Sequence, residues 1–352
     1  MTDIDVTVVT VTYNAAALVV QCLDSLAAQR LGDVTMRVVV VDNASTDATV
    51  ELVESHHPDV TVVRSSRNLG FAGGNDLVLA SVTTPWVILL NNDAVADPDL
   101  VRTLVDEARR SPADVAAVAA TVLLAERFRA APDGTADGVE GPDGTWVADP
   151  AGDVRLVNST GNQVRTDGFG EDRGWLADAS RHRPPAEVFG FSGAAALLRT
   201  SALRDVGVFD ESYFMYYEDT DLSWRMRLAG YRVVHCARAV VSHEHAASSD
   251  EGSDFFRFHD ARNRLATVTK DASVPLALRT VAAFVVTTAS IALRRRQPWH
   301  VVRTRLRALA SYGRMLPGLL QARRRIGRRA VVPRRDVERL LVAPTTGRTY
   351  RR

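Results

Sequence analysis

Three features of the 352-residue sequence predict a doubly wound α/β fold with a mostly parallel sheet, an insertion and a C-terminal helical basic extension. Apolar, β-branched runs alternate with helical patterns over residues 1–110, which is typical of a sheet covered by helices on both faces. Residues 126–188 interrupt this alternation and are too long for an ordinary connection. Residues 271–352 carry 19 arginines against three acidic side chains, a net charge of +16.

The composition is that of a folded protein with a sizeable core. Hydrophobic residues make up 46% and charged residues 24% of the chain, which excludes disordered, collagen-like and mucin-like proteins. Two cysteines, Cys22 and Cys236, are too few for a disulfide framework or a four-thiolate zinc site, and they suit a reducing compartment. The acidic N-terminus lacks the pattern of a signal peptide, and no apolar run reaches the ~18–20 residues of a membrane-spanning helix. We therefore expect a cytoplasmic protein without a membrane span.

Four apolar runs in the first part of the chain each end in polar residues and predict parallel strands. They comprise residues 6–12, 36–41, 60–63 and 86–90. Near-continuous apolar runs are typical of strands that are buried on both faces. Right-handed crossovers would place the polar ends of these strands along one edge of the sheet, where ligands of such sheets bind.

Helical spacing fills the intervals between the strands. The first helix is predicted from the shared face of Leu18, Cys22, Leu23 and Leu26. Asp97 and Pro98 are typical of an N-cap followed by proline at the first helical position. After the 126–188 segment, which we expect to be an insertion, a lid or a small group of short strands, order resumes over residues 188–198. Further helices are predicted from Ser201 and over residues 219–228, with Gly230 as the stop.

Polar side chains at the ends of the first two predicted strands suggest a nucleotide site. Asp42 can accept hydrogen bonds from a ribose or a pyrimidine base, and Tyr13 can pack against a base. The alternative is that Asp42 and Ser45 only cap the following helix. A dinucleotide site of the Rossmann type is disfavoured, because no G-x-G-x-x-G sequence follows the first strand.

Two further segments carry groups suited to a nucleotide diphosphate. The glycine-rich segment 67–75 permits close backbone approach, and its Arg67, Asn68 and Asn75 offer donors to phosphate or sugar. Asn91-Asn92-Asp93 follows a buried strand, where a carboxylate suits a divalent cation that bridges two phosphates. Taken alone, each segment could also be an ordinary turn or a polar strand end.

Acidic and histidine residues in the second half of the chain indicate a reaction centre. Glu218, Asp219 and Asp221 crowd the start of a predicted helix, whose dipole favours ionised carboxylates. A helix cap needs only one of these acids. His243 and His245 follow an apolar run, and a role in metal binding needs a partner elsewhere in the chain.

Together these motifs resemble the inverting family 2 glycosyltransferases of the GT-A fold, most closely the rhamnosyltransferase-like and galactofuranosyltransferase-like members that build cell-wall or surface polysaccharide. The resemblance covers about residues 5–270. It implies a GT-A domain, which we place over residues 1–270. The sequence pattern adds the insertion at about 126–188 and a basic, amphipathic helical tail over residues 271–352. The motifs that carry it, in order, are Val11-Thr12-Tyr13-Asn14, Asp42-Asn43-Ala44-Ser45, the 68–75 loop, Asn91-Asn92-Asp93 and Glu218-Asp219-Thr220-Asp221-Leu222.

The resemblance also implies roles for individual residues. Asp219 matches the catalytic base, while Asp93 and His243 match the ligands of a divalent cation, Mg²⁺ or Mn²⁺. Only Asp93 keeps a carboxylate in the D-x-D position of the family, where Asn91 and Asn92 stand. The implied candidates on the acceptor side are Glu218, Asp221 and Trp224. The implied nucleotide-sugar-binding residues are Thr12, Tyr13, Asn14, Asp42, Asn43, Arg67, Asn68, Asn75, Asn92 and Asp93.

The expected reaction is inverting transfer of a sugar from a nucleotide-diphosphate sugar to a glycan or polyprenyl-linked acceptor in cell-envelope or surface polysaccharide synthesis. Such a transfer needs one base for the acceptor hydroxyl and one cation for the diphosphate. A sugar nucleotidyltransferase is the rival enzyme class, but no glycine-rich loop with a following basic residue comes after the first strand. A non-catalytic scaffold is the other alternative, and the presence of Asp93, Asp219 and His243 argues against it.

The C-terminal extension combines positive charge with apolar sequence. Residues 1–270 carry 24 basic and 39 acidic side chains, a net charge of −15, so the two parts differ sharply in charge. The apolar run 281–293 is flanked by arginines, and it is too short to span a bilayer but long enough to lie in its surface. Helical spacing then continues through Val302, Leu306, Leu309 and Leu316.

We expect this extension to dock on an anionic surface at the inner face of the cell membrane. The alternative is a helix that packs on the body and exposes its arginines to solvent. Nucleic-acid binding is not expected, because the extension has no recognisable nucleic-acid-binding module and the body is acidic.

Overall fold

The computed structural model describes residues 4–244 and 252–344, and in this part of the chain ten strands form one central sheet. The strands are β1 (Val6–Thr12), β2 (Met36–Asp42), β3 (Thr61–Arg64), β4 (Trp86–Leu90), β5 (Ala94–Ala96), β6 (Val115–Leu124), β7 (Phe128–Ala131), β8 (Val139–Gly141), β9 (Gly144–Ala148), β10 (Val157–Ser159), β11 (Asn162–Val164), β12 (Gly170–Asp172), β13 (Glu187–Val188), β14 (Ala195–Arg199) and β15 (Arg232–His243). The helices are α1 (Ala16–Ala27), α2 (Thr49–His56), α3 (Gly70–Leu79), α4 (Leu100–Arg110), α5 (Thr200–Val206), α6 (Glu218–Leu228), α7 (Asp254–Asp271), α8 (Val274–Arg294), α9 (Trp299–Arg329) and α10 (Arg334–Val337).

The four strands predicted from the sequence form one parallel half of this sheet, in the order β3-β2-β1-β4. Because all four run in the same direction, the polar residues that follow β1, β2 and β4 meet at one edge. Beyond β4, β14 runs antiparallel to both β4 and β6, and β6 is parallel to β15. The expected α/β class with a mostly parallel sheet is confirmed.

Helices cover both faces of the sheet and give it two apolar cores. One core packs α1, α2 and α4 against the sheet, with Cys22, Leu23 and Leu26 on the buried face of α1 as predicted. The other core packs α3, α5 and α6 against the opposite face. The predicted start of α4 at Asp97 is wrong: the Leu100 amide donates to the Asp97 carbonyl, so a turn precedes the helix, which begins at Leu100.

The 126–188 segment is a group of short strands, one of the three forms expected for it. Strands β7, β9 and β8 form a three-stranded sheet, and β11 and β12 form a hairpin. Two other strands of the segment, β10 and β13, join the central sheet through β6 and β15. The insertion is therefore anchored on the sheet at two places.

The C-terminal extension is helical, and α9 packs along α7. Its buried face contains Val302 as expected, and the predicted Leu309 and Leu316 pack against the core beside it, but Leu306 is 46% exposed. Ala308, Tyr312 and Leu319 complete the buried face. The boundary expected at 270/271 falls at the end of α7 and stays a prediction.

The expectation that no segment is long enough to span a membrane is wrong for α8. This helix has 21 residues and a mean hydropathy of 1.8 over its most apolar 18-residue window, so by length and composition it could cross a bilayer. The run 281–293 underestimated the helix, because α8 begins at Val274 and includes Arg279 and Thr280 before that run. Only 28% of that window is buried.

A buried ion cluster joins α6 to α7. Lys270, the only lysine of the chain, is 2% exposed, and its Nζ lies 2.7 Å from both Asp210 and Asp221. Arg225 contacts the same Asp221 carboxylate from one turn further along α6, at 2.9 Å. The two cations lower the pKa of Asp221 against the opposing effect of burial. The cluster therefore holds ionised groups where water is excluded.

Lys270→Met should destabilise the fold by about 3–5 kcal/mol, because it leaves the buried Asp221 without its lysine partner. Chemical denaturation would measure the free energy of unfolding. Arg30→Met is the matched control, since Arg30 pairs with Asp99 at 2.5 Å but is 67% exposed in its side chain, and it should cost at most about 1 kcal/mol. Equal losses in the two variants would contradict the assignment of Lys270 as the cation that Asp221 needs.

Candidate active site

The ends of β1, β2 and β4 form the open edge of the site. Asn92 Nδ2 donates to Thr12 Oγ1 at 3.1 Å, which links the end of β4 to the end of β1. Tyr13 follows Thr12 and is 46% exposed, so its ring is free to meet a ligand. Asp42 is buried and accepts from the Ser45 amide at 3.1 Å. Because α2 begins only at Thr49, Asp42 closes a turn and does not cap that helix.

Two asparagines of this edge hold its loops together. Asn14, in the left-handed region with φ 47°, accepts from the Thr46 amide at 2.8 Å. Asn43 is buried and donates from Nδ2 to the Gly70 carbonyl at 2.9 Å. Both side chains therefore hold the loops of the expected donor site, and Asn14 remains exposed whereas Asn43 is buried.

The glycine-rich segment is the first part of α3, and its glycines serve packing between elements. A Cβ on Gly70, where φ is +70°, would lie 2.3 Å from the Phe214 carbonyl oxygen, and one on Gly74 would lie 2.7 Å from Val11. The prediction that Asn75 contacts the donor is wrong, because it is buried and donates to the Phe71 carbonyl at 2.9 Å. Of the three polar residues predicted here, Arg67 and Asn68 stay exposed near the edge.

A cavity of about 800 Å³ lies beside this edge and is lined by the candidate reactive groups. Asp93, Asp219 and His243, which are distant in sequence, all line it. The insertion forms its opposite wall through residues of β11, β12 and the β8–β9 turn, so this segment is part of the site. The side chains that the insertion contributes include Glu140, Gln163, Glu171, Asp172, Trp175 and His182.

Asp93 and His243 face each other in a way that suits a cation. Asp93 Oδ1 is buried, accepts no hydrogen bond among the described residues, and lies 3.0 Å from His243 Nε2. On the other side of the ring, His243 Nδ1 lies 2.7 Å from Asn158 Oδ1. With an amide oxygen as its partner, Nδ1 carries the ring hydrogen, and Nε2 presents its lone pair toward Asp93.

These two side chains fit a divalent cation as a partial ligand set. Within residues 4–244 and 252–344, no group of three or more His, Cys, Asp or Glu side chains is placed to hold a metal ion. A cation at Asp93 and His243 would therefore take its remaining oxygen ligands from phosphate groups and water. His245 lies outside the described residues.

The first turn of α6 puts its acids in different environments. Asp219 accepts from the Gly193 amide at 3.0 Å through Oδ2 and from the Thr220 amide at 2.6 Å through Oδ1. Burial raises the pKa of Asp219, although these hydrogen bonds favour its charged form. Glu218 also lines the cavity, and burial together with the nearby charge of Asp219 raises its pKa well above the ordinary value. Hydrogen bonds therefore favour the charged form of Asp219, whereas the raised pKa of Glu218 favours its neutral form.

The structure does not bring two of the three acceptor-side candidates to the cavity. Asp221 is fully buried in the ion cluster with Lys270 and Arg225. Trp224 is also fully buried and packs edge-on against Phe189 at 5.4 Å. Both predictions are wrong because these positions of α6 point into the protein, and only Glu218 of the three lines the cavity.

The segment that presents α6 is strained and tightly held. Phe214, Tyr216 and Tyr217 all have positive φ values, of 67°, 68° and 70°. Residues other than glycine rarely adopt this backbone conformation, and they keep it only where the surrounding structure imposes it. Here Asn263 Nδ2 donates to the carbonyls of Met215 and Tyr216, both at 2.8 Å. The start of α6 is thus fixed by contacts from α7.

Some residues of the site had no signal in the sequence. Asn158 stands 85 positions from His243, and no spacing rule connects them. Gly193 acts through its backbone amide, which any residue except proline could supply. The polar residues of the β11–β12 hairpin lie in a segment without periodicity. Only the tertiary fold brings these groups to the cavity.

Comparison with known proteins agrees with this geometry. The family model described as Glycosyl transferase family 2 matches residues 7–207, and that of Glycosyl transferase family group 2 matches residues 169–311. The chain is 30% identical over 275 residues to an N-acetylglucosaminyl-diphospho-decaprenol L-rhamnosyltransferase of Mycobacterium tuberculosis, covering 74% of this chain and 82% of the relative. It is 25% identical to the O-antigen chain rhamnosyltransferase RfbN of Salmonella typhimurium, covering 72% of this chain and 70% of that protein.

A solved structure shares the fold. The mannosyltransferase PcManGT from Pyrobaculum calidifontis, in complex with GDP-Man and Mn2+, aligns with a TM-score of 0.50 and 19% identity over 96% of this chain and 84% of its own. Its low identity makes it a comparison of fold alone. With a family model over more than half of the sequence and the rhamnosyltransferase relative, the chain belongs to the family 2 glycosyltransferases, inverting enzymes of the GT-A fold.

Proposed function

We propose that this glycosyltransferase moves a rhamnose-type sugar from a nucleotide-diphosphate donor to a lipid-linked saccharide acceptor in cell-envelope polysaccharide synthesis. The observation that carries the proposal is the meeting of Asp93, Asp219 and His243 in the wall of one cavity next to the β1–β2–β4 edge. Two rhamnosyltransferases among the relatives support the choice of sugar. The name of one of them, which acts on N-acetylglucosaminyl-diphospho-decaprenol, supports a polyprenyl-linked acceptor.

The proposed donor site divides between the edge and the cavity. Tyr13 and Asp42 would contact the base and ribose, with Thr12 and Asn92 beside them, since these residues stand together where β1, β2 and β4 end. The diphosphate would lie between this edge and Asp93. The transferred sugar then points into the cavity, toward Asp219.

Asp219 would act as the general base in a single displacement. Its carboxylate takes the proton of the acceptor hydroxyl while the oxygen of that hydroxyl forms a bond to the anomeric carbon of the donor sugar. The bond between the anomeric carbon and the phosphate oxygen breaks, and the nucleoside diphosphate leaves with the electron pair. Attack from the face opposite the leaving group inverts the configuration at the anomeric carbon.

Asp93 and His243 would hold a divalent cation, which is typical of this fold. When bound, such a cation would neutralise the charge that develops on the departing diphosphate. Asn158 would keep His243 in the tautomer whose lone pair is on Nε2, because its amide oxygen accepts from Nδ1.

Membrane attachment through α8 is part of the proposal. One stripe of this helix, Leu276, Thr280, Phe284 and Thr288, is buried against the protein, while Leu278 and Val286 are 66% and 67% exposed. Because α8 packs on α7 and α9, an orientation across the bilayer would draw these charged helices into lipid. We therefore propose that α8 lies in the cytoplasmic surface of the membrane, with Arg294, Arg295 and Arg296 near anionic headgroups.

Asp219→Asn should lower kcat by about 10²–10⁴ while donor binding stays intact, because the amide cannot take the acceptor proton. Glu218→Gln is the matched control, and it should keep most of the turnover since Gln resembles a neutral Glu. The wild-type rate should fall as the pH drops through the raised pKa of Asp219, above the ordinary 3.8. Near-normal turnover of Asp219→Asn would show that another group is the general base.

Asp93→Asn and His243→Gln should each weaken metal-dependent donor binding, and the double variant should lose little more than the weaker-binding single variant. The reason is that both side chains would act through one cation. Titration of donor with and without EDTA measures the effect. Glu171→Gln removes a carboxylate from the opposite wall and should leave the metal dependence unchanged. Full activity of the wild type in EDTA would contradict the cation site.

Val286→Glu should reduce co-sedimentation of the protein with phosphatidylglycerol vesicles, because it puts a charge on the proposed membrane face of α8. Leu77→Glu, an exposed leucine of α3, is the control and should bind vesicles like the wild type. Binding should also weaken as salt rises, since exposed charges are screened beyond about 8–10 Å. If the wild-type protein stays in the supernatant at low salt, the membrane proposal is wrong, and this face of α8 would instead contact another protein.

A further inference from the structure

The insertion gives the cavity an acidic wall. Glu140, Glu171 and Asp172 line it from the insertion, and Asp260 adds a fourth carboxylate from α7. Carboxylates accept hydrogen bonds from sugar hydroxyls, but they repel a phosphate group of the same charge. This wall suits a neutral sugar, so any phosphate carried by the acceptor has to lie elsewhere.

Arg264 stands directly behind this wall and lacks a polar partner. It follows Asp260 by one turn of α7, is 5% exposed, and its side chain makes no hydrogen bond or ion pair within the described residues. Its guanidinium carbon lies 3.6 Å from the ring centroid of Phe169 and 5.4 Å from that of Phe284. Contact with aromatic rings stabilises the charge in part, whereas the guanidinium N–H groups need an oxygen acceptor. Because Arg264 Nε is buried without a hydrogen-bond partner, an anion at this place would lower the free-energy cost of its burial.

Arg305 brings a second positive charge to the same place. Its guanidinium carbon lies 4.0 Å from the centroid of the Phe284 ring, and its Nε donates to Thr288 Oγ1 at 2.9 Å. Burial first and the charge of Arg264 second lower the pKa of Arg305, while the nearby Asp260 carboxylate opposes this shift. The two arginines, from α7 and α9, therefore share one ring of α8 and add their charges.

Three surfaces follow one another in space. The acidic wall of the cavity continues through Gly170, whose amide donates to the Tyr217 hydroxyl at 2.9 Å, to Phe169 at the tip of the β11–β12 hairpin. Phe169 stacks on Arg264, and Phe284 beyond it belongs to α8, the helix with the exposed apolar face. The hairpin tip is also bound to α8, since Arg279 donates to the Thr166 carbonyl at 2.7 Å. The order sugar site, cationic pair, apolar helix is the order of parts in a lipid-linked saccharide.

We propose that Arg264 and Arg305 bind the phosphate group of the lipid-linked acceptor, whose sugar enters the cavity and whose hydrocarbon chain lies along α8. This inference rests on the proposed function and adds a subsite to it. Phe169, 37% exposed, covers Arg264 and would have to move aside when the phosphate binds. The two arginines would then fix the distance from the lipid to the acceptor hydroxyl at Asp219.

The test compares two acceptors that differ only in the phosphate. Full-length protein in detergent micelles is assayed with farnesyl-diphospho-N-acetylglucosamine and with the farnesyl glycoside of the same sugar. Arg264→Gln and Arg305→Gln should each raise KM for the diphosphate acceptor by about ten-fold or more, because charge-assisted hydrogen bonds to phosphate are strong. KM for the glycoside should stay within about two-fold, which a general loss of structure would not produce.

Arg303→Gln is the matched control on α9. Arg303 is exposed and lies two positions before Arg305. Its substitution therefore removes the same charge from α9 but leaves the contact with Phe284 intact. Both KM values should stay near those of the wild type. Arg264→Lys keeps the charge but loses the planar guanidinium with its paired N–H donors. Its KM for the diphosphate acceptor should lie between those of the wild type and Arg264→Gln. Thermal unfolding of each variant checks that the fold is retained.

A binding measurement separates this inference from the proposed function. Farnesyl diphosphate is titrated in EDTA, where a cation at Asp93 and His243 cannot contribute, and it should bind the wild type more tightly than Arg264→Gln. If the wild type transfers sugar to neither acceptor but this difference remains, the transfer reaction is wrong and the phosphate site stands. If transfer occurs but neither arginine variant changes KM or farnesyl diphosphate binding, the phosphate site is wrong. A loss of phosphatidylglycerol vesicle binding in Arg264→Gln with unchanged KM would also overturn it, because the site would then bind a phospholipid headgroup.

Discussion

The contact between Lys270 and Asp221 is the constraint on which the orientation of the active site depends. Asp221 lies two residues after Asp219 in the first turn of α6, and Lys270 ends α7. Arg225 joins the same carboxylate and also donates to the carbonyls of Val206 and Val208. Rotation of α6 would separate these charges in a place where no water can replace their partners. The buried pair thereby keeps Asp219 turned toward the cavity, and it couples the C-terminal helices to the reaction centre.

The three acids of α6 show how burial assigns different chemistry to similar side chains. Asp221 meets two cations and stays ionised, although burial opposes this. Glu218 meets no cation, so burial and the charge of Asp219 favour its neutral form. Asp219 is held by the amides of Gly193 and Thr220, yet burial still raises its pKa, which makes it a stronger base than an exposed aspartate. One helical turn thus contains an ionised structural carboxylate, an acid whose pKa burial raises and the proposed base.

The basic extension serves the body of the protein as well as the proposed membrane surface. Arg323 donates to the carbonyls of Thr269 and Ala272 at 2.8 and 2.6 Å, and so satisfies carbonyl groups at the end of α7. Arg329 reaches the Asp205 carbonyl at 3.0 Å. Some arginines of the extension therefore pack on the body, whereas docking on a membrane stays a proposal that the exposed apolar face of α8 motivates. The net charge alone could not distinguish arginines that bind carbonyls from arginines that face solvent.

The sequence by itself determined the parallel half of the sheet and the positions of the polar strand ends, because strand and helix patterns are local and repeat over a few residues. It also identified Asp93, Asp219 and His243 as candidates, which the fold places in one cavity. Only the tertiary structure decided that Asn75, Asp221 and Trp224 face the interior, since one turn of a helix places neighbours on opposite sides. The role of the insertion as a cavity wall and the pairing of Arg264 with aromatic rings were also decided there. Both depend on contacts between segments far apart in the chain, which no local pattern records.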